Sequence, residues 1–395
     1  MISNPYTRKY LNTDVLTAAR WRISQAFDQY EKVSVSFSGG KDSGVLLHLV
    51  AEEARLRKRR FTVLFIDWEA QYELTIGFVR QCLDLYADCT DPLWVCLPLT
   101  TVNACSVHEP EWTCWDPAKR DLWVREPPAG SIGQGDLFPF YKAGMTFEDF
   151  VVAYGSWFRG AIFVGLRATE SYDRFLGTFS RLKMVERSQA IPESRVFCPL
   201  YDWRAEDIWT YNARFAKLYN PLYDRMHQAG ISVHRMRVCE PYGNEQKQGL
   251  WLFHIIEPEM WSKVCARVAG ANSGALYSGE KGNMTGTKLT LPPGHTWKSF
   301  TMFLLETMPK QASEHYKNKI AVYLKWYRDH DVPELPDSLP KDTGAKDVGT
   351  WRRICSTLLK HDYWAIRLGF APNKTSAYAK YQELMKKRRE QWAII

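Results

Sequence analysis

Residues 38–43 read Ser-Gly-Gly-Lys-Asp-Ser, a combination suited to holding an oxyanion. Glycines without a Cβ let backbone N–H groups come close to phosphate oxygens. Ser38 and Ser43 can donate hydroxyl hydrogen bonds, and Lys41 supplies a compact positive charge. Asp42 repels a phosphate unless a cation such as Mg²⁺ intervenes, or unless it caps the helix that follows. A second set lies at 165–174, Gly-Leu-Arg-Ala-Thr-Glu-Ser-Tyr-Asp-Arg. Arg167 and Arg174 carry planar forks that match phosphate or sulfate, and Glu170 can orient either one through an ion pair. The same three residues could equally form an ion-pair network that closes a sheet.

The first set needs a strand before it and a helix after it, and the sequence supplies both. Val33 to Phe37 is a short β-rich run, and Leu46, Leu49 and Val50 share one helical face just beyond the turn. Asp14 is a suitable N-cap for an amphipathic helix over 14–30. Further strands are expected at 61–66, ending at Asp67, at 93–97 and at 161–166, with helices at 71–86, 146–158 and 204–217. Strands alternating with helices imply α/β architecture with a doubly wound parallel sheet. Ligands bind such sheets beyond the carboxyl ends of the strands, where Ser38, Asp67 and Gly165 all fall. The alternation breaks at about 100–145, an insertion or functional lid. The expected domains are a nucleotide-binding unit over 1–230, an irregular and helical extension over 231–331, and a small basic helical tail over 347–395.

Two familiar phosphate loops do not fit. A Walker loop requires glycine where Val35 stands, and no G-x-G-x-x-G can be placed. The Ser-Gly-Gly-Lys-Asp-Ser turn instead resembles the pyrophosphate loop of the adenine nucleotide α-hydrolase superfamily. Residues 165–174 and Cys-Pro-Leu-Tyr-Asp-Trp-Arg-Ala-Glu-Asp-Ile-Trp at 198–209 resemble the second and third motifs of its phosphoadenosine phosphosulfate (PAPS) reductase branch. The resemblance covers about residues 30–225. It implies an adenine nucleotide, ATP or PAPS, with Mg²⁺ to offset the charge of ATP phosphates. It also implies that Ser38, Gly39, Gly40, Lys41, Asp42 and Ser43 hold phosphates. Arg167 and Arg174, with Glu170 and Gly165, would meet phosphate or a departing anion, and Asp67 would border adenine and ribose. Catalytic roles fall to Lys41, Asp42, Arg167 and Arg174. Trp68-Glu69-Ala70-Gln71-Tyr72 resembles a run found in a subgroup often encoded beside a ParB-like partner and described as regulators. Reductases of the branch use a cysteine in a C-terminal Glu-Cys-Gly-type motif, and nothing here corresponds to it. Their Asp-Thr-Gly is replaced by Asp67-Trp68-Glu69. The resemblance therefore implies an enzyme that acts at the phosphates of ATP, by adenylyl transfer with pyrophosphate release, or on PAPS or adenosine phosphosulfate with an external thiol in place of the missing cysteine. The alternatives are a nucleotide-sensing regulator and a nucleic-acid-modifying, thiolation-type or defence-associated enzyme.

Composition sets wider bounds. With 395 residues, 45% of them hydrophobic, the chain can bury a large core and is not globally disordered. A net charge of +8 is compatible with nucleotides or nucleic acid and selects neither. No run is apolar enough for a membrane span or a signal peptide, so a cytoplasmic location is expected. The nine cysteines form no C-x-x-C pair and are expected as reduced thiols. Cys96, Cys105, His108 and Cys114 are irregularly spaced for zinc, so no metal site is expected. His48 is expected in packing. Trp112, Trp115 and Trp123 are expected in a core before a groove, and Cys239 as a buried thiol.

Overall fold

A computed structural model describes residues 12–368 apart from 107, 171–173, 176–192, 239–241, 244–249, 273–290, 309, 331, 340–348, 360–361, 363–364 and 366–367. Cys239, most of the Gly-rich 270–297 segment and the basic run at 386–389 lie outside the described residues. The chain forms two compact units. The first comprises Met1–Thr101, Thr113–Pro241 and Leu252–Arg267; the second comprises Val102–Trp112, Tyr242–Trp251 and Val268–Ile395.

The first unit opens with helix α1 (Val15–Gln29). Asp14 caps it: Oδ1 accepts from the N–H groups of Leu16 and Thr17, both at 2.9 Å. Ala19, Ile23, Ala26 and Phe27 recur at helical spacing and are buried. The chain continues through β1 (Val33–Ser36), α2 (Lys41–Leu56), β2 (Phe61–Ile66), α3 (Glu73–Leu85) and β3 (Thr90–Val95). A separate pair of short strands follows, β4 (Thr100–Val102) and β5 (Glu111–Thr113). Then come α4 (Phe147–Phe158), β6 (Ala161–Val164), β7 (Arg195–Phe197), α5 (Ala205–Arg214), α6 (Leu222–Gln228), α7 (Leu250–Ile256) and α8 (Pro258–Arg267).

Five strands pair in the order β3-β2-β1-β6-β7, and every pairing is parallel. From β1 the chain moves outward through β2 and β3, then returns to the other side of β1 for β6 and β7. Right-handed crossovers in these two directions place helices on opposite faces, which is the doubly wound arrangement. The order reverses between β1 and β6, whose register pairs Ser36 with Val164. That reversal leaves a crevice at the carboxyl ends of the two strands, and residues 38–43 and 165–167 follow those ends directly.

One strand is displaced from its expected position. β3 runs Thr90–Val95, not 93–97. Asp91 and Pro92 are exposed and read as a turn, but β3 is an edge strand, where a proline without an N–H and a charge toward water are both tolerated. The insertion is built around this edge. Ile132 bridges to Val95, donating to Trp94 O at 2.7 Å and accepting from Cys96 N at 2.9 Å. Phe138 buries itself against Phe150, Tyr154 and Trp157, anchoring the segment on α4.

The second unit has its own core. Helices α9 (Trp297–Thr307), α10 (Lys310–Arg328) and α11 (Trp351–Leu359) bury Leu305, Tyr316, Ile320, Tyr323, Tyr327, Trp351, Ile354 and Leu358 together. A capping box of Thr296 and Ser299 starts α9. The helix at 351–359, expected in the small tail over 347–395, thus shares one core with 297–328.

Candidate functional site

The turn after β1 is held from several sides. Gly39 has φ +72°, and a Cβ there would lie 2.7 Å from Thr75 Cγ2 and 3.1 Å from Val79 Cγ2. Its glycine is therefore required by the backbone and by α3 packing, before any ligand is considered. Gly40 is different: a Cβ would meet Ser38 Oγ at 3.3 Å and the Tyr223 hydroxyl at 3.5 Å. The hydroxyls of Ser38 and Ser43 lie 3.0 Å apart, and Ser43 Oγ donates to Gly40 O at 3.2 Å, so the two serines staple the loop. Gly165 permits a close approach of backbones, since a Cβ would stand 3.0 Å from Ser43 N. No side chain of the N-cap residue closes α2, leaving its positive end beside the β1–β6 crevice.

The charged residues of the two motifs converge. Arg167 Nε donates to Asp42 Oδ1 at 2.5 Å, and Lys41 Nζ lies 3.2 Å from Asp42 Oδ2. Asp42 is thus held by two cations and is not a helix cap. Arg167 Nη1 also donates to Thr169 Oγ1 at 3.2 Å, and Thr169 Oγ1 in turn donates to Trp203 O at 3.1 Å. This ties the second motif to the third. Glu170 accepts from Arg174 through one oxygen and from Arg237 through the other. Lys41 and Arg167 are nearly buried, while Arg174 and Arg237 each retain 29% of their exposure.

Asp67 is placed elsewhere. It is fully buried, and its carboxylate accepts from Trp94 Nε1 at 2.8 Å, from Glu69 N at 2.9 Å and from Arg125. Its side chain is committed to the protein and not presented to an adenosine. Glu69 beside it has φ +61° and pairs with Arg267, Nε to Oε1 at 2.8 Å. It also accepts from the N–H groups of Trp115 at 2.7 Å and Val124 at 3.2 Å. Burial pushes the Glu69 carboxyl upward, against the pull of Arg267 and those two N–H groups. Gln71 Oε1 accepts from Trp68 N at 3.1 Å. The Trp-Glu-Ala-Gln-Tyr run is therefore a hub fastening the insertion and the end of α8 to β2.

The softer candidates are part of the packing. His48 is buried between the Tyr86 hydroxyl and Leu218 O, at 2.6 and 2.7 Å, and burial lowers its pKa to about 4. Trp112 and Trp115 are buried, and Trp115 Nε1 donates to Asp67 O at 2.6 Å. Cys96 and Cys114 are buried with pKa values pushed up by desolvation, as is Cys82, to about 12. That is the opposite of an activated thiolate.

Four residues outside the motifs support the loop. Asn220 Nδ2 donates to Gly39 O at 2.9 Å and Thr75 Oγ1 at 3.0 Å. The Tyr223 hydroxyl accepts from Lys41 N at 2.9 Å, and Lys41 Nζ stands 5.6 Å from that ring's centre. Met236 O accepts from Lys41 Nζ at 3.3 Å, and Arg237 reaches Glu170. Asn-Pro-Leu-Tyr at 220–223, just after a helix that follows the third motif, was the available signal. Nothing local marked Met236 or Arg237.

The fold is a doubly wound parallel α/β sheet with a glycine turn at its reversal of strand order. The profile of the phosphoadenosine phosphosulfate reductase domain matches residues 32–109 and 141–239, skipping most of the insertion, and a domain of unknown function (DUF3440) matches 230–333. The sequence is 46% identical, over 98% of this chain and 97% of the relative, to the Escherichia coli (strain K12) protein described as "Uncharacterized protein YbdN". This chain belongs to the family of that Escherichia coli protein. A Bacillus cereus adenosine 5'-phosphosulfate reductase is 22% identical over 58% of this chain and 83% of its own length. Among solved structures, the phosphate complex of a Candida auris PAPS reductase aligns with 15% identity over 57% of this chain and 89% of that one, at a TM-score of 0.32. Among the described residues no helix is long and apolar enough to cross a membrane.

Proposed function

We propose that the chain binds an adenine nucleotide by its phosphates in the β1–β6 crevice and acts at those phosphates. The observation that carries this reading is the convergence of Lys41 and Arg167 on Asp42 beside the glycine turn, where the strand order reverses. With ATP, an acceptor oxygen would attack the α-phosphorus. The bond to the bridging oxygen would break, and pyrophosphate would leave with the electron pair. Positioning and electrostatics supply such a step without a protein nucleophile. With PAPS or adenosine phosphosulfate, the sulfate would occupy the place of the outer phosphates, and an external thiol would have to serve as reductant. Mg²⁺ usually enters with nucleotide phosphates and few protein ligands, and Asp42 fits that role once Arg167 and Lys41 turn to the phosphates.

Calorimetric titration with ATP and with PAPS, followed by assays for pyrophosphate or adenosine bisphosphate release, tests the proposal. Binding of either nucleotide is expected, with turnover once the acceptor is present. A folded chain that binds neither overturns it. Tight binding without turnover under any acceptor would favour a nucleotide-sensing regulator, including one working through a ParB-like partner.

A further inference from the structure

The positive charge of the chain is not spread evenly along it. Residues 268–395 hold 20 of the 52 Lys and Arg but only 12 of the 44 Asp and Glu. They carry the whole excess of +8, while residues 1–267 balance at 32 against 32. A one-sided excess of this kind points to a polyanionic partner. Helix α10 (Lys310–Arg328) presents part of it as a surface. The core fixes one side of this helix, where Ala312, Tyr316, Ile320, Tyr323 and Tyr327 are buried. At the helical repeat, Lys310, Lys317, Lys325 and Arg328 fall within about 80° of one another on the other side. All four are exposed, and Glu314 is the only acid in the helix.

Elsewhere exposed cations have carboxylate partners. In the first unit Arg55, Arg57 and Arg60 pair with Asp88, Asp28 and Asp91. In the second unit Lys298 pairs with Glu334. Among the described residues, Lys310, Lys317, Lys325 and Arg328 form no ion pair. Four like charges along about 27 Å of helix repel one another, and the repulsion is relieved when a partner's anions take the place of diffuse counterions. A lipid surface is the poorer match. A helix that lies in a membrane interface turns its apolar face to the acyl chains, and that face of α10 is committed to the core.

We infer that the exposed stripe of α10 binds the phosphodiester backbone of a nucleic acid. Three of the four contacts come from lysine, a compact point charge that meets phosphate without reading a base, so binding is tolerant of sequence. The stripe makes no use of the β1–β6 crevice, and its test is separate from that of the nucleotide site.

The test is fluorescence anisotropy of a labelled DNA duplex and a labelled single-stranded RNA, each about 30 nucleotides long, titrated with the full chain at about 50 to 200 mM salt. Lys310→Gln, Lys317→Gln, Lys325→Gln and Arg328→Gln combined in one chain are expected to weaken binding at least tenfold. They should also flatten the slope of log K against log salt by about 3. Arginine at the three lysine positions should keep affinity within about twofold, since the charge stays where it was. Urea unfolding checks that the variants are folded. If the fourfold variant is not, Lys317→Gln alone is expected to flatten the slope by about 1. Tighter binding of the duplex assigns DNA, and tighter binding of the single strand assigns RNA. A wild type that binds neither at the lowest salt overturns the inference. Unchanged affinity and slope in the folded Gln variants also overturn it, by moving the contact to another part of the chain. Binding to phosphatidylserine vesicles that the Gln variant loses, with no binding to either nucleic acid, would assign the stripe to a membrane surface instead.

Discussion

Two neighbouring strands, β1 and β2, end in the same chemical ingredients and use them in opposite ways. Beyond β1 lie Asp42, Arg167, Glu170, Arg174 and Arg237, with carboxylates 14% and 10% exposed and two arginines open to water. Beyond β2 lie Asp67, Glu69, Arg125 and Arg267, with both carboxylates fully buried and Arg267 at 1%. The first cluster sits against a glycine turn at the reversal of strand order. The second lies under the insertion and the end of α8. Near water, a carboxylate can give up its arginine to a ligand's oxyanion, and the exchange costs little. In the sealed cluster any such exchange strands a charge in a poor dielectric.

The largest expected effect comes from breaking the sealed cluster. Glu69→Ala removes the partner of Arg267 and the acceptor for Trp115 N and Val124 N. It should cost about 3–5 kcal/mol, read as a lower urea midpoint. Asp42→Asn keeps an oxygen that can accept from the nearly buried Arg167, which also holds Thr169, so it should cost less, about 1–3 kcal/mol. Comparable losses for the two variants would erase the contrast between the clusters.

A smaller effect should come from the glycine that the turn itself requires. Gly39→Ala places a Cβ at φ +72° and 2.7 Å from Thr75 Cγ2. The backbone and the clash together should destabilise by about 2 kcal/mol. Thr75→Ser deletes the offending methyl but keeps the hydroxyl that Asn220 bonds. Added to Gly39→Ala, it should return about half of the loss and leave the part due to φ. Full rescue would show that the left-handed backbone carries no cost; no rescue would put the strain elsewhere than Thr75.

Much of the first cluster could be read in the chain because it is local. A β-run, a glycine pair and an apolar helix are adjacent in sequence, so hydrophobic period and turn chemistry fix the loop, and β1, β2 and β6 emerge from the same alternation. What escaped is non-local. Arg237 meets Glu170 across 67 positions, and Arg267 meets Glu69 across 198. No periodicity reports such pairings. Asp67 was visible as a strand-end carboxylate, but whether that carboxylate faces a crevice or the inside depends on Trp94 and Arg125 from other segments. β3 was misplaced because an exposed Asp-Pro looks alike in a turn and on a sheet edge.

The smallest expected effect on stability is also the one that best sharpens the comparison. Arg167 uses two nitrogens at once, Nε toward Asp42 and Nη1 toward Thr169. A lysine can keep the charge near Asp42 but cannot make both contacts from one tip. Lys41 remains 3.2 Å from Asp42 Oδ2, so the carboxylate stays paired and Arg167→Lys should cost only about 1 kcal/mol of folding stability, near the worth of one lost hydrogen bond. Nucleotide affinity should nevertheless fall about tenfold, near 1.4 kcal/mol, because planar recognition of an oxyanion is lost. In the sealed cluster the same exchange, Arg267→Lys, should cost stability first. Its guanidinium spans both Glu69 oxygens and Thr113 O, and a lysine leaves some of these acceptors buried and unpaired. Urea unfolding and ATP calorimetry on both variants give four numbers. If Arg167→Lys unfolds early and binds normally while Arg267→Lys does the reverse, the two strand ends have been assigned the wrong way round.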